Sequence, residues 1–411
     1  MPRRALILVE GHRSIGCLYV NAAKRIGLWP ITLSADPTQY DYLAAKGIEA
    51  IRVDTTNLDA LIRECDRLRE TYEIAGITGF SGLDELVPAI VGKLCRHFDL
   101  PGPDPASIER CQDKFTQRQI LAQAGVPVPA YRLAANATDV TSSAAEIGLP
   151  VIVKPAVGSG SSGVRLCRSA DELAEHTSYL LGEKKTWRSS PRILVEEFAQ
   201  GFHYSTEIMG NEAFGIAAVE FGIPPHFVSL EYTFPAALTG DEHRRITDVS
   251  LSCLRALGLG WGPTNIDVRW TKHGPVVIEV NPRLAGGTSP QLVQAACGVD
   301  LITEHIKLVI GGDWDLRKKH SRIATARILV PDRDGTLDSI DGERQAAAVP
   351  GVAEVKLYVV PKTPIIRKGD FRDAIGYVIA ASPDLMQTQS VIRRAVDLID
   401  WSITPFPTIS Q

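Results

Sequence analysis

The stretch VVIEVNPRLAGG, residues 276–287, sets an apolar run against Glu279, Asn281 and Arg283 and then closes on two glycines. Strand side chains alternate with period two. Glu279, Asn281 and Arg283 are therefore expected on one face, with Val276, Ile278 and Val280 on the other, toward a core. A carboxylate, an amide and a guanidinium on one face can hold a cation and an anion side by side. Just upstream, TNIDVRW (264–270) reads as a strand paired with this one and adds Asp267. Magnesium takes oxygen ligands, usually one or two carboxylates plus substrate phosphates, and Asp267, Glu279 and Asn281 are of those types. The competing reading is a plain Glu279–Arg283 salt bridge on a sheet face.

Toward the N-terminus two lysines and a glycine loop come into view. Lys114 opens a predicted helix running to Ala124, and Lys154 ends the predicted strand VIVKP. The loop Gly158, Ser159, Gly160, Ser161, Ser162, Gly163 follows directly, and a second strand follows the loop. A lysine beside such a loop can neutralise phosphates while the loop N–H groups close over them. Singly, each lysine reads as a solvated surface residue and the loop equally well as a flexible hairpin; the joint order favours phosphate binding. No GK[ST] is present, which separates the loop from a P-loop. VEEF (195–198) ends a further strand, and a strand-to-loop hinge there can pair its backbone with an adenine edge.

The chain has 411 residues, enough for two or three domains. A formal net charge of −4 argues against a broad nucleic-acid footprint. Seven scattered cysteines with no CxxC pair suggest reduced thiols, not a disulfide framework or a zinc site. No stretch approaches the roughly 20 apolar residues that span a bilayer, so no membrane partner and a cytoplasmic location are expected. The first hundred residues alternate strands (ALILV, WPITLS, EAIRVD, AGITGF) with helical segments, which implies a parallel sheet with right-handed crossovers. Gly11 and Gly16 lack the G-x-G-x-x-G spacing of a dinucleotide site and read as a tight turn. Pro and Gly in LPGPDPAS (100–107) mark a boundary, LRKKHSR (316–322) reads as a linker, and α+β patterning returns after it.

The order of lysine, lysine with glycine loop, E-E-F and then E-x-N-P-R-x-x-G-G resembles the ATP-grasp superfamily of carboxylate–amine ligases. Within it the chain looks most like the dipeptide-forming bacterial L-amino-acid ligases, with a domain order like biotin carboxylase. The resemblance covers essentially the whole chain and implies an α/β and α+β architecture. A parallel preATP domain would span 1–105, a two-part ATP clamp 106–315 with its lid at about 126–198, and an α+β C-terminal domain 316–411. It implies ATP and two Mg²⁺ ions, with Mn²⁺ as an alternative, small carboxylate and amine substrates, no nucleic-acid partner, and allows a homodimer. The activity implied is amide formation through an acyl phosphate with release of ADP and phosphate, with at least one amino acid as substrate. A bicarbonate-dependent carboxylase and a non-catalytic nucleotide-binding regulator are the alternatives.

Residue by residue, the resemblance implies that Lys114 and Lys154 contact phosphates and that Ser159, Gly160, Ser161, Ser162 and Gly163 cover them. Glu196, with the backbone of Phe198 and Ala199, would meet the adenine. Glu279 would bridge two metal ions, with Asp267 on one and Asn281 on the other. Arg283 would hold the carboxylate and its phosphorylated form, and Gly286 and Gly287 would let it approach closely. Two departures stand out. Relatives carry an acidic ribose-binding residue after the hinge where this chain has His203, so His203 or Glu207 would serve; and a His-x-Glu of related ligases is replaced by Asn265 and Asp267. The segment 224–238 is expected as a substrate-pocket loop, offering His226 and Glu231 to an amino group or second substrate.

Overall fold

The computed structural model describes residues 2–80, 86–182 and 191–407. At the N-terminus β1 (Arg3–Val9), α1 (Gly16–Arg25), β2 (Trp29–Ser34), α2 (Asp41–Ala45), β3 (Glu49–Arg52), α3 (Leu58–Arg69), β4 (Tyr72–Gly79) and α4 (Val87–His97) follow one another. The four strands form a parallel sheet in the order β3-β2-β1-β4. Ala5 to Val9 are fully buried, as a strand covered on both faces must be. Leu61, Cys65 and Leu68 of α3 and Val87, Ile90, Val91 and Leu94 of α4 cover one face. On the other, α1 packs through Tyr19, Val20 and Ala23 into a core shared with the rest of the chain.

Next come α5 (Pro105–Gln112) and α6 (Lys114–Gln123), capped by Asp104 and Asp113, whose carboxylates accept from Ser107 N and Thr116 N. The run LPGPDPAS thus already enters a helix at Pro105, whose fixed φ suits a first turn. The segment expected as the lid holds β5 (Tyr131–Ala134), α7 (Ala137–Ile147), β6 (Val151–Pro155), β7 (Arg165–Cys167), α8 (Ala170–Gly182) and β8 (Ile193–Glu197). Its strands form an antiparallel sheet, β5-β8-β6-β7. Val140, Ala144, Leu173 and Leu180 of α7 and α8 cover one side.

The remainder comprises β9 (Phe202–Met209), β10 (Glu212–Phe221), β11 (Ser229–Phe234), α9 (Gly240–Leu257), β12 (Pro263–Thr271), β13 (Gly274–Asn281), α10 (Ser289–Cys297) and α11 (Leu301–Val309). After them come β14 (Ile323–Leu329), β15 (Gly335–Asp341), α12 (Glu343–Ala347), β16 (Val352–Leu357), β17 (Pro364–Ile365), β18 (Gly376–Ser382), α13 (Leu385–Val396) and β19 (Asp400–Thr404). One eight-stranded sheet runs β13-β12-β9-β10-β11-β14-β18-β16. The expected division at 315/316 falls between α11 and β14, and the sheet crosses it because β11 pairs with β14. Part of the expected pocket loop 224–238 is strand: Ser229–Phe234 pairs on both sides.

Helix α9 starts at a Thr239/Glu242 capping box and stops at Gly258 in the left-handed conformation. Its Ile246, Cys253 and Leu254 meet Tyr204, Ile208, Ile216, Ile266, Val268, Val277 and Val280 on one face of the sheet. Helices α10 and α11 cover the opposite face toward β14 and β18, where Leu292, Val293 and Ile306 join Ala324, Ala326 and Ile379. The opposite face of β9, β12 and β13 carries polar side chains instead, and the site is built there. Among the described residues no helix is long and apolar enough to cross a membrane.

Candidate active site

The polar face can be read from the strand registers. Asp267 pairs with Ser205 on one side and Glu279 on the other, and Asn265 likewise with Glu207 and Asn281. Cβ atoms directly opposite one another lie about 4.5–5.5 Å apart, so Asp267 and Glu279 form a carboxylate pair. Two like charges so placed repel unless cations stand between or beside them. Glu279 Oε1 is 2.9 Å from Lys114 Nζ and Asp267 Oδ1 is 3.4 Å from His203 Nε2. Burial alone would raise the Glu279 carboxyl, but Lys114, Lys154 and Arg283 outweigh it and hold it below the usual range. Two carboxylates and two amides, with both acids still partly exposed, suit a hard divalent cation completed by phosphate oxygens. Among the described residues no group of three or more His, Cys, Asp or Glu could hold a metal alone.

The period-two expectation needs one correction. Asp267 faces Glu279 but Val268 faces Val277, so Ile278 is an extra residue, a β-bulge. Val277 and Val280 are consequently the core residues, while Val276 and Ile278 are only half-buried. The strand ends at Asn281, and Arg283 stands in the turn beyond it. Its Nη2 is 3.5 Å from Asn281 Oδ1 and its Nη1 bonds the Leu284 carbonyl at 3.0 Å. Among the described residues the ion-pair partner of Glu279 is Lys114, and Arg283 does not pair with it. Added Cβ atoms at Gly286 and Gly287 would meet nothing within 4 Å, so the chain there borders open space.

Strand β13 is the sheet's edge, and α6 covers it. Lys114, Gln117 and Arg118, at i, i+3 and i+4, share a helix face with Leu121, and all four are buried. Lys114 Nζ donates to the Gly158 carbonyl as well as pairing with Glu279. The Gln117 amide brackets Val280, donating to its carbonyl and accepting from its N–H, each at 2.9 Å. This mimics the missing neighbour strand. Arg118 Nη2 donates to the Ile278 carbonyl and its Nε is 2.7 Å from Glu196 Oε1. The other oxygen of Glu196 is 2.5 Å from Lys154 Nζ. Burial pushes Glu196 up, but the two cations outweigh it and keep the carboxylate ionised. Breaking a buried ion pair by removing one partner typically costs about 3–5 kcal/mol.

Glu196 therefore spends its carboxylate on Arg118 and Lys154 and is 2% exposed, leaving only its backbone for an adenine. Beyond it, Phe198, Phe221 and Phe227 surround the Arg269 guanidinium at 5.6–5.7 Å. Arg269 Nη1 bonds the Gly201 carbonyl at 3.0 Å, tying the hinge to β12. His203 lies nearby, edge-on to Phe221, with its Nδ1 buried and unpartnered. Glu207 is buried under the loop after β13. It accepts from Ser289 Oγ at 2.6 Å, and burial first, then Asp267, pushes it up to about 7 against the pull of Ser289 and Arg283.

The glycine loop takes positive φ at Gly158, Gly160, Ser161 and Gly163. Its Gly160 carbonyl accepts from Phe371 N at 3.2 Å, Ser162 Oγ from Arg372 Nη2 at 3.3 Å, and the Gly163 carbonyl bonds His176 Nε2 at 3.0 Å. Ser159 sits between two of these anchored glycines. The Phe371 ring occupies the place a Cβ on residue 160 would need.

Two expected substrate residues are not brought to this face. Glu231 pairs with Arg327 on β14 and accepts from Gln389 of α13 at 2.6 Å, on the reverse of the sheet. The neighbouring Tyr232 is the one that faces inward, where it feels the charges of Asp267 and Arg283. Alternation would have found it had 224–238 been read as strand. His226 packs against Gly369 in the connection between β10 and β11. Gln117 and Arg118 were missed because polar residues in a short helix read as solvated; their shared stripe with Leu121 was the available signal. From the N-terminal unit, His12 reaches the Arg283 charge. Its Nδ1 accepts from Ser14 and Ile15, and burial, then Arg283, pushes it down to about 4.

Residues 113–317 match the family described as carbamoyl-phosphate synthase L chain, ATP binding domain, and residues 327–404 match L-amino acid ligase C-terminal domain 2. The chain is 62% identical over 404 residues to the uncharacterized protein y4rH of Sinorhizobium fredii, covering 98% of this chain and 84% of that one. It is 26% identical over 330 residues to human carnosine synthase 1, covering 74% of this chain but only 39% of the synthase. In fold it is similar to an L-amino acid ligase from Bacillus licheniformis, with a TM-score of 0.80 at 19% identity, over 98% of this chain and 100% of that one.

Proposed function

The chain belongs to the ATP-grasp superfamily of carboxylate–amine ligases, with a C-terminal domain of the L-amino acid ligase type, and from that premise we propose that it joins a small carboxylate to an amine, at least one of them an amino acid. The observation that carries this reading is the opposed pair Asp267 and Glu279, flanked by Lys114 and followed by Arg283 beside open space. Cations gathered at one end and a carboxylate-binding guanidinium at the other suit a phosphoryl donor and its acceptor.

In this reading Lys114 and Lys154 neutralise the phosphates of ATP and the 158–163 loop covers them. The hinge backbone at Glu196, Phe198 and Ala199 meets the base. We assign the ribose to His203 in preference to Glu207, because His203 lies beside the hinge whereas Glu207 is buried against Ser289. Asp267, Glu279 and Asn281 would hold Mg²⁺, which when bound supplies charge neutralisation at the transferring phosphoryl group. Arg283 holds the substrate carboxylate in reach of that group. The carboxylate oxygen takes the γ-phosphoryl, ADP leaves, the amine nitrogen then attacks the acyl carbon, and phosphate and a proton depart. A loop closed over the acyl phosphate keeps water from competing.

The test is a phosphate-release assay with ATP, Mg²⁺ and pooled amino acids, the pool then split and ADP resolved from AMP. ADP and phosphate that appear only with a particular pair support the reading. AMP and pyrophosphate, or turnover that needs bicarbonate and no amino acid, would overturn it.

A further inference from the structure

Arg118 is fully buried, and its contacts are the Glu196 carboxylate and the Ile278 carbonyl, neither of which touches a phosphate in the proposed reaction. Its fork has two acceptors on different units: the Glu196 carboxylate at the end of the lid strand β8, and the carbonyl of Ile278, the bulged residue of β13. Glu196 passes the connection on, since its second oxygen is 2.5 Å from Lys154 Nζ. Ile278 passes it on as well, since the bulge sets the aim of the next residue, Glu279. Lysine could not replace this group. Its ammonium is a point charge on a flexible stem, whereas the planar guanidinium spans two acceptors at a fixed angle.

The cluster also has a charge problem that a purely structural salt bridge would not have. Arg118 and Lys154 place two buried cations on one carboxylate, and Arg118 Nη1 is buried with no partner. Excess buried positive charge is costly by itself and is relieved when an anion arrives. We infer that Arg118 is a positioning residue of the ligase reaction: through Glu196 it fixes where the Lys154 ammonium meets the nucleotide phosphates, and through the Ile278 carbonyl it holds the bulge that aims Glu279. The inference rests on the proposed phosphate role of Lys154.

The experiment is a double-mutant cycle on the full chain, titrating MgADP and a non-hydrolysable MgATP analogue into wild type, Arg118→Lys, Lys154→Gln and the double variant. If Arg118 acts through Lys154, Arg118→Lys weakens analogue binding about tenfold or more, and the double variant binds within about threefold of Lys154→Gln alone. A merely structural residue would multiply its loss onto that of Lys154→Gln, and that result overturns the inference. So does analogue binding by Arg118→Lys within twofold of wild type. Unchanged binding by Lys154→Gln would instead remove the phosphate reading, and the inference with it. If Arg118→Lys does not fold, the same cycle through Glu196→Gln, which keeps the side-chain shape, carries the test with the same expected non-additivity.

Discussion

Lys114 Nζ stands 2.9 Å from Glu279 Oε1 and also donates to the Gly158 carbonyl, so one ammonium joins β13 to the glycine loop. This ammonium takes up attraction that a divalent cation would otherwise feel from Glu279. Lys114→Met should therefore raise affinity for Mg²⁺ alone, by about tenfold, equal to about 1.4 kcal/mol. The same variant should weaken MgATP binding if, as proposed, Lys114 neutralises phosphate charge. Calorimetric titration of both ligands checks the pair of opposite signs; equal Mg²⁺ affinity would show that lysine and metal do not compete.

Glu279→Ala should abolish turnover while leaving the fold intact, since Glu279 is partly exposed and its neighbours Val277 and Val280 make the core. Asp267→Asn keeps an oxygen ligand and should lose less, with part of the loss restored at high Mg²⁺ or Mn²⁺. Near-normal turnover of Glu279→Ala would remove the metal assignment.

Arg283→Lys should leave MgATP binding within about threefold but lower kcat/KM for the carboxylate substrate by about a hundredfold, as expected when a two-pronged, charge-assisted contact becomes a single one. A rise in KM for ATP with no change for the carboxylate would place Arg283 on the wrong substrate.

His305 gives a pH prediction away from the chemistry. It lies in α11, 7% exposed, with Nδ1 2.6 Å from the Tyr19 hydroxyl of α1, and burial pushes it down to about 4. A histidine depressed in the folded state from an unfolded value of 6.5 leaves the unfolded chain binding more protons between those pH values. Its contribution is fully present above pH 6.5 and is lost as pH falls toward 4, by about 3 kcal/mol. Urea unfolding across that range should show stability declining toward acid, and His305→Asn should flatten the slope. An unchanged slope would assign the decline to other groups.

The sequence made the outline of the site visible because its elements repeat simple periods. The parallel N-terminal strands, the glycine loop between β6 and β7, and the common face of Glu279 and Asn281 followed from alternation and spacing, whereas Arg283, expected on that face, stands in the turn beyond the strand. The bulge at Ile278 was invisible, since VVIEV is apolar at every position that could have shifted. Glu231 was named where Tyr232 faces the site, because a strand was taken for a loop and loops have no faces. Arg118 needed three-dimensional information: its two acceptors lie on β8 and β13, far apart in the chain.

Lys114, Gln117 and Arg118 engage Glu279, Val280 and Ile278, three consecutive residues of one strand, like teeth of a gear in a rack. Gln117 and Val280 are 163 positions apart, so the mesh is set entirely by the fold. Inserting or deleting one residue in α6 would turn the later teeth by about 100° and disengage them together. Recombining parts of this chain with a relative should succeed only when helix 114–123 and strand 274–281 are inherited from the same parent, however freely the segments between them are exchanged.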